Sequence, residues 1–112
     1  MVKIDTLFKK WFISKINEFE VGRYVNFFEN SWKDNLEHSK KNIFDFPRWS
    51  IISGYYAMHD VTKLLIIKQF RIKINFKVHK TTISLLNELV KDSKLTQELN
   101  KGYKEFLSLA ND

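Results

Sequence analysis

Apolar positions recur with three different periods along this chain, and the changes of period mark its elements. Near the start, Ile4, Phe8, Trp11, Phe12, Ile16 and Phe19 are spaced by three and four residues, which predicts an amphipathic first helix capped by Asp5 or Thr6. Gly22 is a candidate break before a second helix, although the two could run together. There Phe28, Trp32, Leu36, Ser39 and Ile43 form a stripe opposite Lys33, Asp34, Glu37, Lys40 and Lys41. From Pro47 to Phe70 the apolar residues cover most of a helical circumference. Ile51, Tyr55, Met58, Thr62, Leu65 and Ile66 make one arc, and Trp49, Tyr56, Ala57, Leu64 and Ile67 make another on roughly the opposite side. This is the predicted central helix, with Pro47 in its first turn, where a missing N–H costs nothing.

The period then drops to two. Ile72, Ile74, Phe76 and Val78 alternate with Arg71, Lys73, Asn75 and Lys77, which predicts an extended connector that either lies flat on the helices or pairs with another segment. His79 to Val90 predicts a fourth helix with Ile83, Leu86, Leu89 and Val90 inward. Leu95 to Ala110 predicts a fifth, in which Gly102 permits close helix approach. The expected fold is all-α, a compact antiparallel bundle of four or five helices around a long central helix, in a single domain spanning residues 1–112. A central helix apolar on two sides needs two covers, and a short chain has few helices to spare. A homodimer through Trp49, Tyr56 and Ile67 is therefore expected.

Composition narrows the classes. With 44% hydrophobic residues and 17 aromatics, the 112-residue chain can bury a core. It has no cysteine, so no disulfide framework or thiolate metal site is available, and three dispersed histidines offer no ligand spacing; neither metal nor cofactor is expected. Asp5, Lys9 and Lys10 interrupt the first apolar pattern, and no small-residue cleavage site follows, so no signal peptide is expected. His59, Asp60 and Lys63 interrupt the longest apolar run, so no membrane span is expected and a cytoplasmic location is.

Charge is unevenly placed. Between Val61 and Asn87 there is neither Asp nor Glu, yet Lys63, Lys68, Arg71, Lys73, Lys77 and Lys80 fall there, matching the formal net charge of +6. Such a run attracts phosphate, with Phe70 or Phe76 able to stack on bases, and Lys68, Lys73, Lys77, His79 and Lys80 are the candidate nucleic-acid contacts. The alternative is a solvated face that opposes aggregation.

The run SGYYAMHDVTKLLI at 53–66, followed later by HKTTI at 79–83, resembles the HEPN family, small helical bundles named for nucleotide binding in prokaryotes and higher eukaryotes. The resemblance implies an up-and-down helical bundle that commonly dimerises. It also implies work with minimal nucleotidyltransferases in toxin–antitoxin modules and, in some members, metal-independent ribonuclease activity through an Arg and a following His. In that chemistry His moves the 2′-hydroxyl proton and Arg stabilises the developing phosphorane. Here seven residues separate Arg71 from His79, one beyond the interval of that motif. Three functions stay open. The first is an RNA- or nucleotide-binding module of a toxin–antitoxin or nucleotidyltransferase-associated system; the alternative is a non-catalytic subunit that holds a partner protein; the lesser alternative is a ribonuclease using Arg71 and His79.

Overall fold

The structure is a computed structural model. It describes residues 4–75 and 77–89, with 94, 97–98, 101–102 and 104–105 beyond them. It is mostly helical with one small ribbon: α1 (Ile4–Lys9), β1 (Ile13–Lys15), α2 (Glu18–Lys41), α3 (Pro47–Phe70), β2 (Ile72–Ile74) and α4 (Val78–Leu89). Among the described residues no helix is long and apolar enough to cross a membrane.

The predicted first helix is cut short. Phe12 N–H donates to Leu7 C=O and Trp11 N–H to Phe8 C=O, the paired bonds of a Schellman stop, with Trp11 in the left-handed region at φ 62°. The chain then extends as β1 and pairs antiparallel with β2 in the register Ile13↔Ile74, Ser14↔Lys73 and Lys15↔Ile72. The alternating connector thus has its partner inside a stretch that reads as helix. Trp11 and Phe19, assigned to the inward stripe, are 68% and 94% exposed. Three- and four-residue spacing did not distinguish one helix from a helix, a turn and a strand, because Ile13 and Ile16 serve a core in either conformation.

Helix α2 begins at Asn17, whose Oδ1 accepts from Phe19 N–H at 3.0 Å. It runs through Gly22 without a break, and a Cβ built at Gly22 would meet nothing within 4 Å. Glu18 and Glu20 in its first turn and His38, Lys40 and Lys41 in its last suit the helix dipole. Asn42 closes it, its side-chain amide donating to His38 C=O at 2.8 Å. Five residues on, Pro47 starts α3 as the sequence predicts. Each of the two helices has 24 residues, about 36 Å of rise. They lie antiparallel.

The seam between them is largely polar. Ser50, Ser53, Ala57, Asp60, Leu64 and Ile67 of α3 recur at alternating steps of three and four, and all are buried. Towards the connecting turn, Ser39 Oγ donates to Ser50 C=O at 2.7 Å and Ser50 Oγ to Ser39 C=O at 2.6 Å, while His38 Nδ1 bonds Ser53 Oγ. In the middle, Asp60 Oδ2 accepts from Ser31 Oγ at 2.6 Å and Asn35 Nδ2 at 3.1 Å. Only at the far end does the seam turn apolar, where Ile67 joins Ile16 and Val21 under Tyr24, Val25 and Phe28. The predicted α2 stripe holds in part: Phe28 packs beside Ile67 and Ser39 bonds Ser50, whereas Leu36 and Ile43 are exposed and Ser31, Asn35 and His38 also bond α3.

The opposite side of α3 carries the second buried face. Ile66 meets Leu7, Ile13, Ile72 and Leu85, with Ile4, Phe8, Phe12, Phe70, Ile74 and Leu89 packed around them. This cluster ties α1, the ribbon and α4 to the C-terminal half of α3. Ile67, an expected dimer contact, is 2% exposed because the start of α2 and Ile16 cover it within the subunit; it is not available to a partner. Trp49 and Tyr56, at 58% and 44%, remain open. The predicted fifth helix and Val90 lie largely outside the described residues, but those described between 94 and 105 are helical. A Cβ at Gly102 would sit 2.8 Å from Met58 Sδ, so Gly102 does permit close approach to α3.

Removing the carboxyl at the middle of the seam should strand two half-buried donors. Asp60→Ala is expected to cost about 2–3 kcal/mol in urea unfolding, and distinctly less in a Ser31→Ala, Asn35→Ala background. Equal losses in both backgrounds would show that Asp60 acts without these partners.

Candidate nucleic-acid interface

The start of α4 is where the chemistry-bearing residues gather, and the ribbon puts it there. After β2, Asn75 N–H donates to Phe12 C=O at 2.7 Å, and its side-chain amide donates to Trp11 C=O at 3.3 Å and Ser14 Oγ at 3.1 Å. The connector is thereby clamped to the turn after α1. Lys77 follows with φ 49°, in the left-handed region, and its carbonyl accepts the first helical bond from Thr81 N–H at 2.8 Å. Leu85 and Leu86, fully buried, seat the helix.

One side of this start faces α1. A cavity of about 200 Å³ is lined by Thr6, Leu7, Lys10 and Phe12 from the first segment and by Lys77, Lys80, Thr81 and Ser84 from α4 and its approach. Three lysines and three hydroxyl-bearing residues line it together with apolar Leu7 and Phe12. Lys77 Nζ also stands 5.8 Å from the centroid of the Phe12 ring, a cation–π distance. Lys10 is absent from the sequence-predicted contacts, since nothing in its local pattern distinguishes it from Lys9; only the meeting of α1 with α4 selects it.

The other side faces α3. His79 Nδ1 is hydrogen-bonded to the Tyr55 hydroxyl, and its ring stacks on His59 at 4.6 Å between centroids and lies 6.0 Å from Tyr56. Burial first, and Tyr56 second, push the Tyr55 phenol up to about 12, so it stays protonated. Burial first, then Lys63 and His79, take His59 down to about 3. Burial and then Lys63 lower His79 as well. Near neutral pH the pair is uncharged. Where Tyr55 donates, His79 carries its proton on Nε2, so it offers phosphate an N–H rather than a positive charge.

The remaining predicted contacts lie apart. Lys73 lines a second cavity of about 150 Å³ with Tyr24, Phe28, Lys63, Ile67, Ile72, Ile74 and Asn75. There Lys73 Nζ is 5.8 Å from the Tyr24 ring and Lys63 Nζ 5.2 Å from the Phe28 ring. Burial lowers Lys63 against the opposing pull of Asp60. Lys68 is exposed on α3, and Phe76 lies outside the described residues. Four lysines of the acid-free run are thus divided between two cavities, Lys77 and Lys80 on the α1 side and Lys63 and Lys73 on the α2 side.

Arg71 and His79 do not come together. Arg71 caps the C-terminus of α3 in the left-handed conformation, φ 56°, donating from Nη1 to Lys68 C=O at 3.1 Å, with Nε 3.7 Å from Glu18 Oε1. His79 rests on Tyr55, sixteen residues earlier in the same helix, about 24 Å of rise away. The acid–base and phosphate-stabilising pair expected from the sequence is therefore not assembled within one chain. Asp60 serves the α2 seam, accepting from Ser31 and Asn35. Among the described residues no three His, Cys, Asp or Glu side chains gather as a metal site.

No protein-family profile, curated protein or solved structure matches this chain.

The buried imidazole has a measurable signature. His59 is protonated in the unfolded chain below pH 6.5 but stays neutral in the fold down to about 3, so stability is full above 6.5 and falls as pH drops through that window. Each proton taken up only on unfolding contributes a slope of about 1.4 kcal/mol per pH unit. Between about pH 6.5 and 5, above most carboxyl titration, urea unfolding of His59→Gln should show a slope lower by nearly one proton. An unchanged slope would mean that His59 is charged in the folded protein.

Proposed function

We infer that the chain is a HEPN-like RNA- or nucleotide-binding module, a bundle of four or five helices belonging to a toxin–antitoxin or nucleotidyltransferase-associated system, with its phosphate contact at the start of α4. The observation that carries this reading is the convergence of Lys10, Lys77 and Lys80 on one cavity. Three lysines lining one cavity with three hydroxyl-bearing residues, and with neither Asp nor Glu, favour a polyanion site over a dispersed solvated face. Lys73 stands four residues before Lys77, within about 14 Å of extended chain, so one strand can reach both cavities. The HEPN resemblance at 53–66 and 79–83 supplies the class, and its two parts meet in the structure where Tyr55, Tyr56 and His59 pack on His79. The separation of Arg71 from His79 favours binding over ribonuclease activity.

A second reading, a subunit that holds a protein partner, has its own support. Ile43, Phe44, Phe46 and Trp49 are exposed at the α2–α3 turn, with Tyr56 farther along α3. This apolar surface suits a second copy of the chain, a nucleotidyltransferase, or both, since exposed aromatic clusters are costly to leave in water.

Binding of a labelled single-stranded RNA should weaken with salt at a log–log slope near −2 to −3, for three or four contacts at about 0.7 counterions each. Lys77→Gln with Lys80→Gln should flatten the slope by about 1.4. The RNA should remain intact in EDTA. Unchanged affinity in the double variant would make the lysines a solvated face.

For the dimer, light scattering at high micromolar concentration should give twice the 13.5 kDa chain mass. Trp49→Glu with Tyr56→Glu should restore the monomer; a wild-type monomer would leave these aromatics without that role.

A further inference from the structure

We propose that the Lys10–Lys77–Lys80 cavity takes a terminal phosphomonoester, the phosphorylated end of an RNA strand, in preference to an internal phosphodiester. This rests on the RNA-binding reading above and specifies which phosphate the site selects. The cations come from both walls, Lys10 from the end of α1 and Lys77 and Lys80 from the approach and first turn of α4, and neither Asp nor Glu lines the space. A diester carries one negative charge and must leave the site at both ends of its chain. A monoester, with a second pKa near 6, carries about −1.5 to −2 at neutral pH and presents three acceptor oxygens. Three lysines, with Thr6 and Ser84 beside them, match that charge and acceptor number better than they match a diester.

Size points the same way. Sites that enclose a whole small-molecule ligand run to about 300–1,000 Å³, and this cavity has about 200 Å³. It admits a charged head group and leaves the nucleoside outside. Thr81, which is 2% exposed, places a hydroxyl-bearing side chain in the wall, and Leu7 and Phe12 keep the floor apolar, so charge–charge contacts there are less screened than on open surface.

The test uses the full chain and one short single-stranded RNA in three forms: 5′-phosphorylated, 3′-phosphorylated, and hydroxyl at both ends. Fluorescence anisotropy near physiological salt should show one phosphorylated form binding about tenfold more tightly than the hydroxyl form, and which form gains identifies the end. Inorganic phosphate should compete that gain away. Lys10→Gln should abolish the gain, bringing the ratio of phosphorylated to hydroxyl affinity to about one whatever it does to each affinity; Lys40→Gln, on α2, should keep the ratio. If all three RNAs bind equally, or if Lys10→Gln leaves the gain intact, the end-phosphate assignment is overturned and RNA binding stands. If none of the RNAs binds, both fall.

Discussion

Everything else in this molecule depends on α3 being buried on two sides by different means. Its ribbon-side face is aliphatic: Ile66 sits in a cluster with Leu7, Ile13, Ile72 and Leu85, each nearly or fully buried. Each such side chain contributes about 1.5–3 kcal/mol; in the opposite seam neutral hydrogen bonds contribute about 1 kcal/mol net apiece and those to the Asp60 carboxyl about 1.5–3. The seam has another effect. A buried carboxyl that meets Ser31 and Asn35, and serines that exchange bonds with Ser39, are satisfied in one helix register and stranded in the next. The aliphatic cluster supplies stability, and the polar seam sets where α2 lies along α3.

That register has consequences at a distance. The apolar end of the seam, Ile67 against Ile16 and Val21, holds the residue after β1 against α3, and Ile16 N–H bonds Arg71 C=O at 2.8 Å. The ribbon is anchored from there, the Asn75 clamp follows the ribbon, and α4 starts where the clamp releases it. Lys77 in its left-handed conformation and His79 on Tyr55 are the outcome of that chain of contacts. Arg71 is occupied in the same structure as a helix cap, which is why it cannot also serve His79.

The electrostatics of the two sides of α4 differ for one reason, burial. On the α3 side His59 is enclosed, desolvation keeps it neutral, and the phenol of Tyr55 stays protonated beside it. On the α1 side Lys10, Lys77 and Lys80 line an accessible cavity. A neutral aromatic block and a cationic cavity therefore share one helix start, an arrangement suited to holding a phosphate rather than to moving a proton on it.

Period and composition alone determined the long helix with its Pro47 start, its two buried faces, the extended stretch after Arg71, the fourth helix, the absence of cysteine and the acid-free cationic run. These are local properties, set by side-chain spacing and backbone preference. Only the tertiary structure decided that residues 13–15 form a strand, because a two-residue period in so short a piece is invisible until Ile72–Ile74 lies beside it. The polar seam left a trace, small and polar residues at matching steps in Ser31, Asn35, His38 and Ser50, Ser53, Asp60, but their pairing required the helices to meet. Ile67 looked like an outer residue and is an inner one because Ile16 and Val21 reach over it. Lys10 could not be told from Lys9 by any local rule; it joins Lys77 and Lys80 through long-range packing of α1 on α4, and sequence separation carries no record of that distance.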